Sequence, residues 1–152
     1  MLTATRAEGP RGGRGGASVF VDALVGAGRP GELARAELRG RSVLEVPAIF
    51  AAEATSALRG LVRGGSLSTL RAATALEQIR TVRTIQYPFE PFAHRVWERR
   101  DNLTVYDAWY VALAEWLGVE FVTADERLAG SSGLRCAVRH PGGGWDDPEP
   151  SS

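Results

Sequence analysis

Asp22, Glu53, Asp107 and Asp125 each interrupt an otherwise apolar stretch of this 152-residue chain. Asp22 ends Ser18-Val19-Phe20-Val21-Asp22, and Glu53 follows Val46-Pro47-Ala48-Ile49-Phe50-Ala51-Ala52. Asp107 precedes Ala108-Trp109-Tyr110-Val111-Ala112-Leu113, and Asp125 follows Phe121-Val122-Thr123-Ala124. A carboxylate is seldom buried unless it is paired or binds a metal. Four such acids, remote in sequence, suggest one convergent pocket holding a hard divalent cation. Mg²⁺ and Mn²⁺ take oxygen ligands and keep part of their hydration shell, which leaves room for phosphate and water. Such an ion polarises a phosphoryl oxygen and acidifies a water for in-line attack. Without a cation, four clustered carboxylates repel one another and some protonate.

Each acid also has a purely structural explanation. Asp22, read as a strand end, sits where an open parallel sheet places its ligand crevice, but a turn or N-cap Asp needs no ligand. Glu53 shares a helix face with Ile49, Phe50, Ala57, Leu58 and Leu61, where an Arg would serve as its partner instead of a metal. Asp107 fits a capping box opened by Thr104. Yet the helix that follows is apolar on nearly every face up to Glu115, so its first turn faces the interior or a cleft. Asp125 ends a strand and begins a helix, where N-capping alone would explain it. No nucleophilic Ser or Cys motif competes, and no Gly-rich loop follows a strand to cradle phosphate. His94 and His140 lack ligand spacing.

The elements that must position these acids alternate between strand and helix. Ser18–Asp22 is short, β-branched and aromatic, which predicts a buried strand. A helix is expected over Pro30–Arg39, an extended piece at Val46-Pro47, and a helix from there to about Arg63, stopped by Gly64-Gly65. Ser66 and Ser68 are candidate caps for a helix over Thr69–Thr81. Val82–Tyr87 reads as a second core strand ended by Pro88. Glu90–Arg100 reads as a helix bearing Phe92, Val96 and Trp97, and Thr104–Leu117 as a helix ended by Gly118. Strands at Val119–Val122 and Leu134–Val138 flank a short helix at Ala124–Leu128. The alternation predicts an α/β fold with a parallel sheet.

Composition sets the frame. The chain is 44% hydrophobic and 24% charged, as expected of a soluble globular domain. Formal net charge is zero, so no global attraction to nucleic acid follows. All 18 basic residues are Arg. GC-rich codon usage explains that blandly, although Arg also suits bidentate phosphate contacts. Cys136 stands alone, which excludes an internal disulfide framework and fits a cytoplasmic protein. No run of about 18 apolar residues spans a membrane, and no signal-peptide core is visible. Residues 1–17, centred on Arg11-Gly12-Gly13-Arg14-Gly15-Gly16, read as a disordered tail, with an RGG-like RNA contact as the lesser reading. Residues 141–152 read as a second flexible tail, which leaves 18–140 as one domain. Trp97, Trp109 and Trp116 supply enough aromatic area to line either the core or an interface.

Four segments together resemble the signature segments of PIN domains, in the form found in VapC-type toxins. They are Val19-Phe20-Val21-Asp22, Glu53 with Ser56-Ala57-Leu58-Arg59, Arg100 to Glu115 (through Thr104-Val105-Tyr106-Asp107-Ala108), and Phe121-Val122-Thr123-Ala124-Asp125-Glu126-Arg127-Leu128. The resemblance implies a three-layer α/β/α sandwich around a central, mainly parallel sheet of four to five strands. It implies a Mg²⁺- or Mn²⁺-dependent endoribonuclease acting on structured RNA such as tRNA or ribosomal RNA. A homodimer and a VapB-like antitoxin, docked over helical arms, are the implied partners. By that resemblance Asp22, Glu53, Asp107 and Asp125 are the metal-binding and catalytic quartet, with Thr123 near the metal waters. One departure stands out. The family usually places a small residue and then Ser or Thr after the first Asp, whereas Asp22 is followed by Ala23-Leu24-Val25-Gly26. The alternative expectation is therefore a degenerate PIN domain that only binds antitoxin or RNA. A phosphatase-like phosphotransferase would need a second Asp two residues after Asp22, where Leu24 stands.

Overall fold

The computed structural model describes residues 2–3, 17–123, 128, 131–139 and 141. Its strands are short and pair in parallel. β1 (Leu2–Thr3), β4 (Phe121–Val122) and β5 (Val138–Arg139) form one ladder in the order β1-β4-β5. β2 (Leu44–Pro47) and β3 (Thr84–Tyr87) form another. β1 and β2 lie side by side without a ladder between them. The architecture is α/β, described as two parallel ladders and not as one sheet of four to five strands.

Helix α6 (Val105–Leu117) is the axis of the fold. Its sequence fixes both ends. Thr104 caps the start by accepting from the Asp107 amide at 3.2 Å, and Gly118 closes the end at φ 66°, a left-handed value glycine adopts without strain. Ala108 through Ala114 are all buried, as a helix apolar on every face requires. Phe92 and Val96, from a 3₁₀ turn (Glu90–Phe92) and α5 (Ala93–Glu98), pack against one side of the α6 core. Phe121 of β4 joins the same cluster.

A second apolar cluster gathers α1 (Ser18–Val25), β2, α3 (Phe50–Arg63) and α4 (Thr69–Thr81). Ser68 caps α4 through the Arg71 amide at 3.3 Å, as its position before the helix predicts. α2 (Gly28–Leu38) crosses α1 at close quarters. A Cβ on Gly31 would lie 2.3 Å from the Gly26 carbonyl oxygen, backbone that cannot yield cheaply. Gly31→Ala is therefore expected to lower stability by about 1–3 kcal/mol, the usual cost of overpacking, as measured by urea unfolding.

Several expectations are corrected. Ser18–Asp22 is the start of helix α1, not a strand. Val19, Phe20, Val21 and Ala23 are buried against both α2 and α3, and a short run buried on several sides has no period that separates strand from helix. Val82–Tyr87 is no core strand. Among the described residues β3 pairs only with β2, and its Ile85 is 49% exposed. Glu90–Arg100 is a 3₁₀ turn and a short helix, which leaves Trp97 65% exposed. The last strand among the described residues is Val138–Arg139, later than Leu134–Val138, because its ladder follows β4. Leu2 and Thr3, assigned by sequence to a tail, form β1. Residues 4–16, the helix expected over Ala124–Leu128 except Leu128, and 142–152 lie outside the described residues. Trp109 is core, whereas Trp116 is 67% exposed with edge contacts to Tyr87 and Phe92.

Candidate functional site

Two of the four acids stand on the first turns of helices. Glu53 lies in the first turn of α3, its amide donating to the Ile49 carbonyl at 3.0 Å. Asp107 lies in the first turn of α6. The unsatisfied amides of a helix N-terminus favour negative charge, so both carboxylates sit where the backbone stabilises them. The Thr104 hydroxyl donates to Asp107 Oδ2 at 2.9 Å while accepting from its amide. The hydroxyl-to-amide half of the expected capping box is present, and the carboxylate accepts from the cap's hydroxyl.

Both acids bear electrostatically on Tyr110. This side chain is wholly buried, three residues beyond Asp107 on α6. Its phenol is held well above its ordinary pKa, first by burial, then by the charge and hydrogen bonding of Glu53, then by the charge of Asp107. The Tyr110 hydroxyl falls short of a well-formed hydrogen bond, yet it and Glu53 Oε2 are both sealed from solvent. Tyr110 therefore stays neutral beside two carboxylates. Thr123, directly after β4, is 2% exposed, and its amide donates to the Arg139 carbonyl at 2.8 Å.

Asp22 is placed differently from expectation. It is half-buried in the middle of α1, where its carbonyl accepts from the Gly26 amide at 2.8 Å. The strand that was to end on it is a helix, so it does not stand at a sheet's carboxyl edge. Asp125 lies outside the described residues. Among the described residues, no group of three or more His, Cys, Asp or Glu side chains is close enough to hold a metal ion. Glu53 and Asp107 both act on the Tyr110 phenol, whereas Asp22 stands in the middle of α1. A carboxylate pair is the right kind of donor for a hard cation, and two carboxylates are an incomplete set.

The PIN domain family model matches residues 17–131, most of the chain. The chain belongs to the PIN-domain family. Ribonuclease VapC1 of Mycobacterium tuberculosis (strain ATCC 25618 / H37Rv) is 37% identical to this PIN domain over 124 residues, covering 81% of the chain and 92% of the relative. Ribonuclease VapC3 of the same strain is 39% identical over 113 residues, 74% of the chain and 82% of the relative. Ribonuclease VapC12 of strain CDC 1551 / Oshkosh is 35% identical over 122 residues, covering 80% and 93%. The chain is thus a VapC-type PIN domain.

Away from the acid pair, one ion network braces the far half of α6 in this PIN domain. Arg95 of α5 grips Glu115 with both arms of its guanidinium, at 2.6 and 2.7 Å, and reaches Glu98 at 2.8 Å. Glu115 also accepts from the Arg135 amide at 2.8 Å, while Arg99 bonds the Ser132 and Gly133 carbonyls. A second fork, Arg139 on Glu37 at 2.6 and 2.9 Å, ties β5 to α2. Sequence reasoning found Glu53, Asp107 and Thr104 but overlooked Tyr110. An aromatic inside an all-apolar helix reads as core filler, and only its spacing from Asp107 gave a signal.

Proposed function

We propose that this PIN domain is a divalent-metal-dependent endoribonuclease, the toxin of a type II toxin–antitoxin pair. The observation supporting this is a PIN domain match over most of a chain whose relatives are named ribonucleases, with Glu53 and Asp107 each in the first turn of a helix. Glu53, Asp107 and Asp125 would hold Mg²⁺ or Mn²⁺, and the proposed set leaves out Asp22. When bound, the cation supplies charge neutralisation at the scissile phosphate and a more acidic water. The chain's own residues do the rest. Thr104 fixes Oδ2 of Asp107, the two helix N-termini favour negative charge at both carboxylates, and Tyr110 keeps its proton.

The substrate in this reading is structured RNA such as tRNA or ribosomal RNA, and the protein is cytoplasmic. No helix among the described residues is long and apolar enough to cross a membrane. The VapB-like antitoxin would use the groove between α3 and α4, about 340 Å³, floored by Leu58, Val62, Ala72 and Leu76 and flanked by Arg59 and Arg63. Exposed Trp97 and Trp116 offer apolar area for a homodimer. The nearness of β1 to β2 favours a single sheet in the order β3-β2-β1-β4-β5, the layer that the family resemblance implies.

Incubating the protein with total cellular RNA and Mn²⁺ is expected to give discrete cleavage products that a chelator abolishes. Cleavage that survives chelation would refute the metal-dependent reading. A second reading is a degenerate domain that binds antitoxin or RNA without cutting. The position of Asp22 on α1 favours it, because the acid pair gains no third member among the described residues. Absence of cleavage with either cation, alongside normal antitoxin pairing, would establish it.

A further inference from the structure

The direction of the backbone groups along β3 follows from two bonds at its ends. The Leu44 amide donates to the Arg83 carbonyl at 3.0 Å, and the Ala48 amide donates to the Tyr87 carbonyl at 2.9 Å. Backbone groups alternate in direction along a strand, so Arg83, Ile85 and Tyr87 turn theirs toward β2. Thr84 and Gln86 turn their N–H and C=O groups the other way, where no further strand lies among the described residues. Side chains alternate as well. Arg83, Ile85 and Tyr87 share one face of the ladder with Glu45, whose Cα partner is Ile85. On that face the Tyr87 hydroxyl donates to Glu45 at 2.9 Å, and Trp116 makes an edge contact with the Tyr87 ring, centroids 5.6 Å apart. Arg83, Ile85 and Trp116 are exposed there.

An open strand edge is a template for pairing with another chain. This edge is complementary to itself. An antiparallel two-fold centred on Ile85 sets Thr84 opposite the partner's Gln86, and their outward groups exchange both backbone bonds. Ile85 then meets the partner's Ile85 as the close, non-hydrogen-bonded pair, with Cα atoms about 4.5 Å apart, and covers its exposed side chain. Arg83 falls opposite the partner's Tyr87. Its guanidinium is thereby brought to the carboxylate of the partner's Glu45 and to the rings of the partner's Tyr87 and Trp116. Charge complementarity thus selects the occupant, since an uncharged peptide strand would match the backbone and leave Arg83 unanswered.

We propose that two copies of this chain pair through their β3 edges, antiparallel about Ile85, so that one ladder runs continuously across the homodimer. The contact uses the same patch on both copies and therefore closes on itself. The inference deepens the homodimer of the reading above and does not depend on whether the acid pair cuts RNA.

The test is the monomer–dimer equilibrium of the full chain, followed by sedimentation over a range of concentrations for wild type, Gln86→Pro and Arg83→Glu. Gln86→Pro removes an outward N–H and no bond to β2, at an edge position that accepts proline. It is expected to weaken dimerisation at least about 10-fold, because each copy loses a bond across the two-fold. Arg83→Glu is expected to weaken it too, and added salt should relieve that defect by screening the new repulsion from Glu45. Gln86→Pro or Arg83→Glu dimerising as wild type does overturns the β3 interface while the homodimer stands. Wild type that stays monomeric at every concentration overturns both. Amide exchange needs no variant. The Thr84 and Gln86 amides are expected to exchange more slowly as protein concentration rises, and exchange that ignores concentration overturns the proposal.

Discussion

Asp107→Asn is expected to keep its fold and to cut RNA at least about 100-fold more slowly than wild type with Mg²⁺ or Mn²⁺. The magnitude follows from the several kcal/mol of charge stabilisation that a correctly held cation supplies, at about 1.4 kcal/mol per factor of ten. The substitution is chosen for what it leaves in place. An Asn oxygen still accepts from the Thr104 hydroxyl, and the backbone amide at 107 still bonds Thr104, so the α6 cap survives. What goes is one negative charge at a site where two acids share a buried phenol. Circular dichroism and melting should match wild type, and RNA cleavage rates should not. Equal cleavage by both proteins would sink the role given to Asp107.

Arg95→Ala is expected to cost about 3 kcal/mol of folding stability, read by urea unfolding, without touching the acid pair. Arg95 and Glu115 are 16% and 8% exposed, so removing the guanidinium leaves a mostly buried carboxylate supported chiefly by the Arg135 amide. That amide keeps the cost at the lower end for a broken buried pair. Arg80→Ala is the contrast. Its partner Glu77 lies 3.1 Å away, but both side chains are more than 60% exposed, at 66% and 63%, and such pairs are worth less than about 1 kcal/mol.

The same site predicts a pH dependence. Burial pushes the Glu115 carboxyl up, but the hydrogen bonds of Arg95, the Arg135 amide and the charges of Arg95 and Arg99 together hold its pKa below the ordinary 4.5. The folded protein then takes up this proton less readily than the unfolded chain. The stabilisation is complete above pH 4.5 and is lost as pH falls through the lower folded value. Arg95→Ala should therefore flatten the acid limb of the stability curve. An unchanged limb would remove Glu115 as its source.

Helix ends were the part of the fold most open to sequence reasoning. Ser68 before Thr69, Thr104 before Val105, and Gly118 after Leu117 all act through bonds within a few residues, so their consequences are local. Strands were harder to read. Leu2–Thr3 is two residues long and owes its state to β4, more than a hundred residues away. Ser18–Asp22 carries β-branched and aromatic residues in a buried helix, where tertiary packing overrides propensity. That error moved Asp22 off a sheet edge. Glu53 and Asp107 were legible because an acid within an apolar face demands a reason, whereas Tyr110 raised no such demand.

The complete burial of the middle of α6 also bears on how the molecule opens in time. Backbone amides in Ala108–Ala114 have no route to solvent short of global unfolding, so they should be the slowest to exchange with deuterium. Asp107 is anchored to that slowest unit. Glu53 rides on α3, whose Arg59, Gly60 and Arg63 face solvent and whose end leads into the exposed Gly64-Gly65 turn. Transient disassembly of the acid pair therefore begins on the Glu53 side, with Asp107 the last of the two to leave its place.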